Sequence, residues 1–299
     1  MRILRSTTVL VLSLAIADSA SGQALRDSTR MLDVNGHRTR ILEIGVGDRG
    51  AGGPVLVLFA GRLVPVLDWG EWLFDVAKLA PVVTYDRPGI GGSAYDGGDA
   101  SPAHVVEHAH AVLDALSIPP PYVLVGHSWG GPLALYYAGT YPDEVVGMVY
   151  LDPVDPRETT CERLAIPDGQ ECAAEADRER RQRGSLANFT PGPRTEIEAV
   201  QRFWDTPVAE RALPADPDVP TGVLLGTLSP RVWAGLPAED AASAERWLVG
   251  RTSRYGQWIA GLRQGTLVVA TDAGHFVYRD VPTLSTEIVR RVLAAAGTP

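Results

Sequence analysis

The chain is poor in lysine, in cysteine and in long apolar runs, and each shortage removes a class of function. Lys78 is the only lysine among 27 basic residues, so positive charge rests on arginine, a compositional habit with no functional reading of its own. The net charge is −9 and the pI about 5.2. No basic stripe builds up anywhere along the 299 residues, which argues against a nucleic-acid partner. Two cysteines alone are too few to hold a metal. No stretch reaches the length of a membrane span, including the apolar run from Thr7 to Ala17.

That short run has the anatomy of a secretory signal over residues 1–24. Arg2 and Arg5 supply the positive start, and small residues follow from Ser19 to Ala24. Cleavage after Gly22 or after Ala24 leaves small residues at both recognition positions. No cysteine stands there for lipid attachment. The expected destination is secreted or periplasmic, with no stable membrane span once the signal is removed; an uncleaved anchor is the alternative. In an oxidising compartment Cys161 and Cys172, eleven positions apart in a polar segment, are expected to pair as a local disulfide, two free thiols being the alternative.

From residue 30 onward, strand and helix patterns alternate. Residues 30–34 and 39–44 flank Asn35-Gly36, a hairpin turn signal. Val55 to Phe59 is a continuous apolar run, as a strand covered on both faces requires. Trp72 to Leu79 reads as a helix, Pro81 to Tyr85 as a strand, and residues 102–116 as an amphipathic helix with Val105, Val106, Val112, Leu113 and Leu116 free to be buried. A strand over 122–125, a helix to about Tyr141 and a strand over 145–151 follow. Residues 153–218 then turn rich in Pro, Arg, Glu and Asp without an apolar strand. They read as an inserted cap that buries Phe189, Phe203 and Trp204. Arg178, Arg180, Arg181 and Arg183 alternate there with acids, as on a salt-bridged helix surface. Strands resume at 221–226 and 265–270, with helices over about 239–262 and 283–296. The alternation implies an α/β fold, a mostly parallel sheet with helices on both faces. Its core would run over 25–152 and 219–299, with chemistry at the carboxyl ends of the strands.

Gly126-His127-Ser128-Trp129-Gly130 lies between one such strand and its helix. A Gly-x-Ser-x-Gly in this setting is a nucleophile elbow, where small flanking residues allow a turn tight enough to lift the serine hydroxyl out of the sheet. The serine needs a base and the base an orienting acid. His275 follows the last strand, at the same edge of the sheet. His127, beside the serine, is expected to turn away from the active face.

Three segments taken in order, Asp86 to Ser93 (DRPGIGGS), Gly126 to Gly131 (GHSWGG) and Gly274-His275-Phe276, resemble the α/β-hydrolase fold superfamily of esterases, lipases and C–C hydrolases. The resemblance runs from about residue 30 to the C-terminus. It implies a Ser-His-acid triad, an Arg87 in a structural ion pair, and an oxyanion hole of two backbone N–H groups. Trp129 matches one donor. Arg62, in Phe59-Ala60-Gly61-Arg62, matches the other, with Ala60 where the family commonly has histidine; its side chain could also meet an acidic substrate. The family often carries its acid after the seventh strand, but no carboxylate follows here until Glu239. Asp152, after the sixth strand, is the favoured acid, with Asp155, another residue or a Ser–His dyad as alternatives.

The expected function is cleavage of a small-molecule carboxylic ester, with no cofactor and no metal; oligomeric state is unreadable. Serine in place of a nucleophilic aspartate argues against dehalogenase or epoxide-hydrolase chemistry. An aminopeptidase acting on N-terminal proline is the alternative, with Glu171, Glu175 and Asp177 as carboxylates for the substrate amine. A non-catalytic binding protein on the same fold is a second. His104-x-x-Glu107-His108 also matches one zinc-peptidase spacing, although an exposed helix face explains it more simply.

Overall fold

The computed structural model describes residues 20–49, 52–164, 169–182, 184–227 and 241–297. Most of the expected signal and the stretch holding Glu239 lie outside them. Eight strands form one sheet: β1 (Thr29–Val34), β2 (His37–Ile44), β3 (Val55–Phe59), β4 (Val82–Tyr85), β5 (Tyr122–His127), β6 (Val145–Leu151), β7 (Thr221–Gly226) and β8 (Gly265–Ala270). Their order is β1-β2-β4-β3-β5-β6-β7-β8. β2 runs antiparallel to β1 and β4, and every other pairing is parallel. Asn35 and Gly36 close the β1–β2 hairpin with φ of 52° and 83°, the left-handed pair that a two-residue turn demands.

Strand alternation builds two cores. Val55, Val57 and Phe59 face one with Leu124, while Leu56, Leu58 and Ala60 face the other with Val123 and Val125. Against the first face pack α3 (Pro102–Ala115), α4 (Gly130–Thr140) and α8 (Ala241–Ala260); against the second pack α1 (Ala20–Asp27), α2 (Trp72–Val76), α9 (Val277–Asp280) and α10 (Pro282–Ala295). Each large aliphatic side chain so buried contributes about 1.5–3 kcal/mol. α3 starts where its sequence signals a start: the Ser101 hydroxyl accepts from the His104 N–H at 3.3 Å, and Pro102 occupies the first turn. α2 is shorter than the expected 72–79, because Lys78 and Leu79 finish in turn-type bonds. α1 straddles both expected cleavage points, and its Leu25 is buried.

Between β6 and β7 the described residues hold helices α5 (Thr160–Leu164), α6 (Gln170–Gln182) and α7 (Pro191–Asp205) and no strand. Cys161 and Cys172 are bonded, joining α5 to α6 with their Cα atoms 5.5 Å apart. Arg178 and Arg180 pair with Glu175 and Asp177 along the exposed side of α6. The expectation that Phe189 is buried is wrong: it is 40% exposed just ahead of α7, whereas Phe203 is buried edge-on against Trp129 with ring centroids 5.0 Å apart. Phe189 precedes the helix and so lies off its inward face. α7 meets the sheet edge through two glycines. A Cβ on Gly89 would lie 2.5 Å from the Gly192 Cα, so the backbones touch only because both side chains are absent.

Candidate active site

Ser128 stands between β5 and α4 with φ of 53°, left-handed for a residue with a side chain. The turn is crowded. A Cβ on Gly126 would sit 2.5 Å from the Gly130 carbonyl oxygen, and one on Gly130 would run into the Phe59 carbonyl at the end of β3. Backbone bonds lock it from both sides: the Ser128 N–H donates to Leu151 at 3.3 Å, and the Ser128 carbonyl accepts from Gly131 and Val154 at 3.0 Å. Such strain persists only where the surroundings over-determine it.

Asp152 follows β6 and His275 the β8 edge, and the fold brings them together: His275 Nδ1 lies 2.7 Å from Asp152 Oδ2. Both side chains are buried, at 1% and 6% exposure. Asp152 also has a positive φ, 43°. Its Oδ1 accepts from the Gly226 N–H at the end of β7 at 2.9 Å, so a carboxylate rooted on one strand is anchored at the tip of the next. Arg251 Nη1 donates to the same oxygen at 2.7 Å. Burial would raise the Asp152 carboxyl, but the Arg251 guanidinium and His275 outweigh it and hold the group well below the usual carboxylate range.

The loop after β3 backs onto the elbow: a Cβ on Gly61 would lie 3.2 Å from the Ser128 Cβ and 3.1 Å from His127 Nδ1. Among the described residues, neither the Arg62 nor the Trp129 backbone N–H has a hydrogen-bond acceptor. Arg87 braces the loop from beneath, donating to the Ala60 carbonyl at 2.8 Å and the Gly61 carbonyl at 2.6 Å. Its other edge pairs with Glu196 of α7 at 2.7 and 2.8 Å, both side chains being nearly inaccessible. Glu196 Oε1 also accepts from the Leu63 N–H at 2.6 Å. A carboxylate of α7 thus holds the loop beside the serine. Burial lowers the Arg62 guanidinium from its usual value, with Glu196 acting in the opposite direction.

A model of the alpha/beta hydrolase family matches residues 52–284. The chain belongs to the alpha/beta hydrolase family. Among curated proteins it is 30% identical over 105 residues to the uncharacterized protein YqjL of Bacillus subtilis, covering 35% of this chain and 42% of that one. It is 36% identical over 121 residues to the 2-hydroxymuconate semialdehyde hydrolase of Pseudomonas putida, covering 40% and 41%. The chain therefore spans about two-fifths of the length of these relatives. Among solved structures, the haloalkane dehalogenase DbeA of Bradyrhizobium elkani aligns over 90% of this chain and 98% of its own with TM-score 0.62 and 17% identity. A hydrolase of this fold from a deep-sea metagenome, MGS-M2, aligns over the same shares at 0.57 and 17%. At such identities the likeness is one of fold.

Within this hydrolase fold the remaining sequence candidates separate. Asp155 pairs with Arg254 at 3.3 Å and accepts from the Arg157 N–H at 3.0 Å. Glu175 and Asp177 are engaged by arginines of their own helix, and Glu171 is exposed. His104 pairs with Asp96 at 2.7 Å, while His108 is buried against the Thr39 hydroxyl at 3.2 Å, so the two histidines of the zinc-like spacing face different partners. His127 departs from expectation. Period-two alternation carries it with Val123 and Val125 to the second core, but the loop after β8 folds over that face. His127 Nε2 donates to the His275 carbonyl at 2.9 Å, and the two rings are 4.5 Å apart. Burial and the neighbouring His275 keep the His127 imidazole well below its usual pKa, hence neutral. Arg251 and Glu196 are the contributors with no local sequence signal; each lies in an ordinary amphipathic helix and meets its partner 99 or 109 residues away.

Proposed function

We propose that this member of the alpha/beta hydrolase family is an exported serine hydrolase that cleaves a small-molecule carboxylic ester. The observation that carries the reading is the strained Ser128 elbow together with a buried Asp152–His275 pair whose carboxylate stands at the end of the neighbouring strand β6. Asp152 holds the Nδ1–H of His275, leaving Nε2 to take the Ser128 hydroxyl proton as Oγ attacks the ester carbonyl carbon. The tetrahedral oxyanion is held by the backbone N–H groups of Trp129 and Arg62, each such donor being worth roughly 3 kcal/mol. His275 then protonates the departing alcohol. Water, deprotonated by the same nitrogen, releases the acid from Ser128. A serine at the elbow, unlike an aspartate, gives an acyl-enzyme with no alkyl-enzyme route, which separates this reading from the dehalogenase chemistry named for a structural neighbour.

A fluorophosphonate probe tests the nucleophile. Covalent labelling that disappears in Ser128→Ala supports the reading, and an unlabelled wild type rejects it. A panel of nitrophenyl esters of graded acyl length, run beside proline amides, decides between ester and peptide bonds. Export rests on the N-terminal signal pattern and on the Cys161–Cys172 bond, which suits an oxidising compartment. The N-terminal sequence of protein recovered outside the cytoplasm, beginning at Gln23 or Leu25, is the expected result; retention of Met1 at the membrane overturns it.

A further inference from the structure

Both oxygens of Asp152 have side-chain partners, and only one of those partners belongs to the reaction. His275 takes Oδ2, while Arg251, from α8, takes Oδ1 at 2.7 Å. Arg251 is 5% exposed, its Nη2 donates to the Pro153 carbonyl at 2.8 Å, and its guanidinium lies 5.0 and 5.5 Å from the ring centroids of Trp247 and Tyr255. A buried arginine forking between a carboxylate and the next carbonyl is a fixed element, not a passing contact.

We propose that Arg251 is a positioning residue for the Ser128–His275 reaction: it clamps Asp152 across from β6 to the tip of β7, and its charge limits how tightly that carboxylate holds the proton on His275. The proposal rests on the catalytic reading above. Geometry supports the clamp. Adjacent strands are about 4.8 Å apart, and Asp152 bridges them from a left-handed backbone, with Gly226 N–H and Arg251 both gripping the oxygen that faces away from the histidine.

Electrostatics supports the second half. A lone buried carboxylate strongly favours the imidazolium; a guanidinium on its far oxygen offsets part of that charge. Without Arg251, His275 holds its proton to higher pH. Since only neutral imidazole accepts the serine proton, the acidic limb of kcat/KM moves upward. Among the described residues, the charged or titratable groups around this cluster include His127 from the end of β5, Asp155 and Glu158 from the segment after β6, Arg254 and Tyr255 from α8, and Arg279 and Asp280 from α9. Glu158 also feels Arg251, so each titration is repeated in Glu158→Gln.

The experiment compares Arg251→Met, which keeps an apolar stem against Trp247 and Tyr255, with Arg251→Lys, which keeps the charge but loses the fork. The His275 imidazole is titrated by NMR, its signal identified by its loss in His275→Gln, and kcat/KM is followed against pH. In Arg251→Met, the His275 titration and the acidic limb rise together by about one pH unit, and plateau kcat falls about tenfold with KM within about twofold. In Arg251→Lys the limb stays put and kcat falls about threefold. An unmoved His275 titration in Arg251→Met, or equal shifts in both variants, overturns the proposal. Should the methionine variant not fold, Arg251→Lys decides, because unchanged kcat there contradicts the clamp. Turnover surviving Ser128→Ala refutes the catalytic reading and Arg251's role in turnover with it. An unmoved His275 titration refutes the proposal alone.

Discussion

The ends of β5 and β6 lie side by side, and each delivers one member of the proposed triad from a left-handed backbone, at φ of 53° for Ser128 and 43° for Asp152. They are held in opposite ways. Ser128 is fixed by what is missing, two glycines whose side chains would collide with backbone a few residues or one strand away. Asp152 is fixed by what is present, donors that among the described residues include those of β7, α8 and the loop after β8. A position defined by local sterics is cheap to encode and intolerant of any added atom. One defined by side-chain pairing is assembled from distant residues and can be adjusted one partner at a time.

The sharpest way to break the comparison is Asp152→Asn. It keeps the size and most hydrogen bonds but removes the charge that orients His275, and kcat is expected to fall by about 10⁴-fold with an unchanged circular-dichroism spectrum. Near-normal turnover would return the acid role to another carboxylate. Glu196→Leu comes next. It strands Arg87 as a buried, unpaired charge and frees the loop carrying Arg62, at a cost of about 3–5 kcal/mol in chemical denaturation and a lower kcat. Gly130→Ala attacks the other side of the comparison, and backbone overlap with Phe59 should cost about 3 kcal/mol with loss of probe labelling.

A pH effect away from the site serves as reference. Burial pushes the His108 imidazole down to about 4. Between its ordinary value and that figure the unfolded chain binds the proton first, so stability present above about pH 6.5 is lost as pH falls toward 4. The expected loss is on the order of 2–3 kcal/mol. In His108→Gln that part of the stability profile should flatten. The smallest effect expected is about tenfold in kcat for His127→Phe, which fills the aromatic surround of Trp69, Phe276 and Tyr278 but cannot donate to the His275 carbonyl. Equal kcat would leave His127 as packing alone.

Strand and helix positions were legible because their signals are local: apolar runs for β3 to β8, a turn pair at Asn35-Gly36, a cap at Ser101. So was the elbow, whose five residues carry their own steric logic. His275 could be found by its place after the last strand. The exposure of Phe189 is not legible, because aromatic character says nothing of which way a residue at a helix entrance faces. The contact of His127 with His275 is not legible either, because alternation assigns a face of the sheet but not what folds over it.

The amino-acid order by itself determined the α/β architecture, the turn at Ser128 and the candidate partners along the strand ends. Those follow from backbone sterics and hydrophobic periodicity, which act over a few residues. Only the tertiary structure decided that Asp152 reaches across to Gly226, that Arg251 shares it with His275, and that Glu196 of α7 holds the loop beside the serine through Arg87. Such pairings join residues some 70 to 120 positions apart. Their energy comes from desolvated charges meeting at hydrogen-bond distance, a condition that no local pattern encodes and only the packed core can impose.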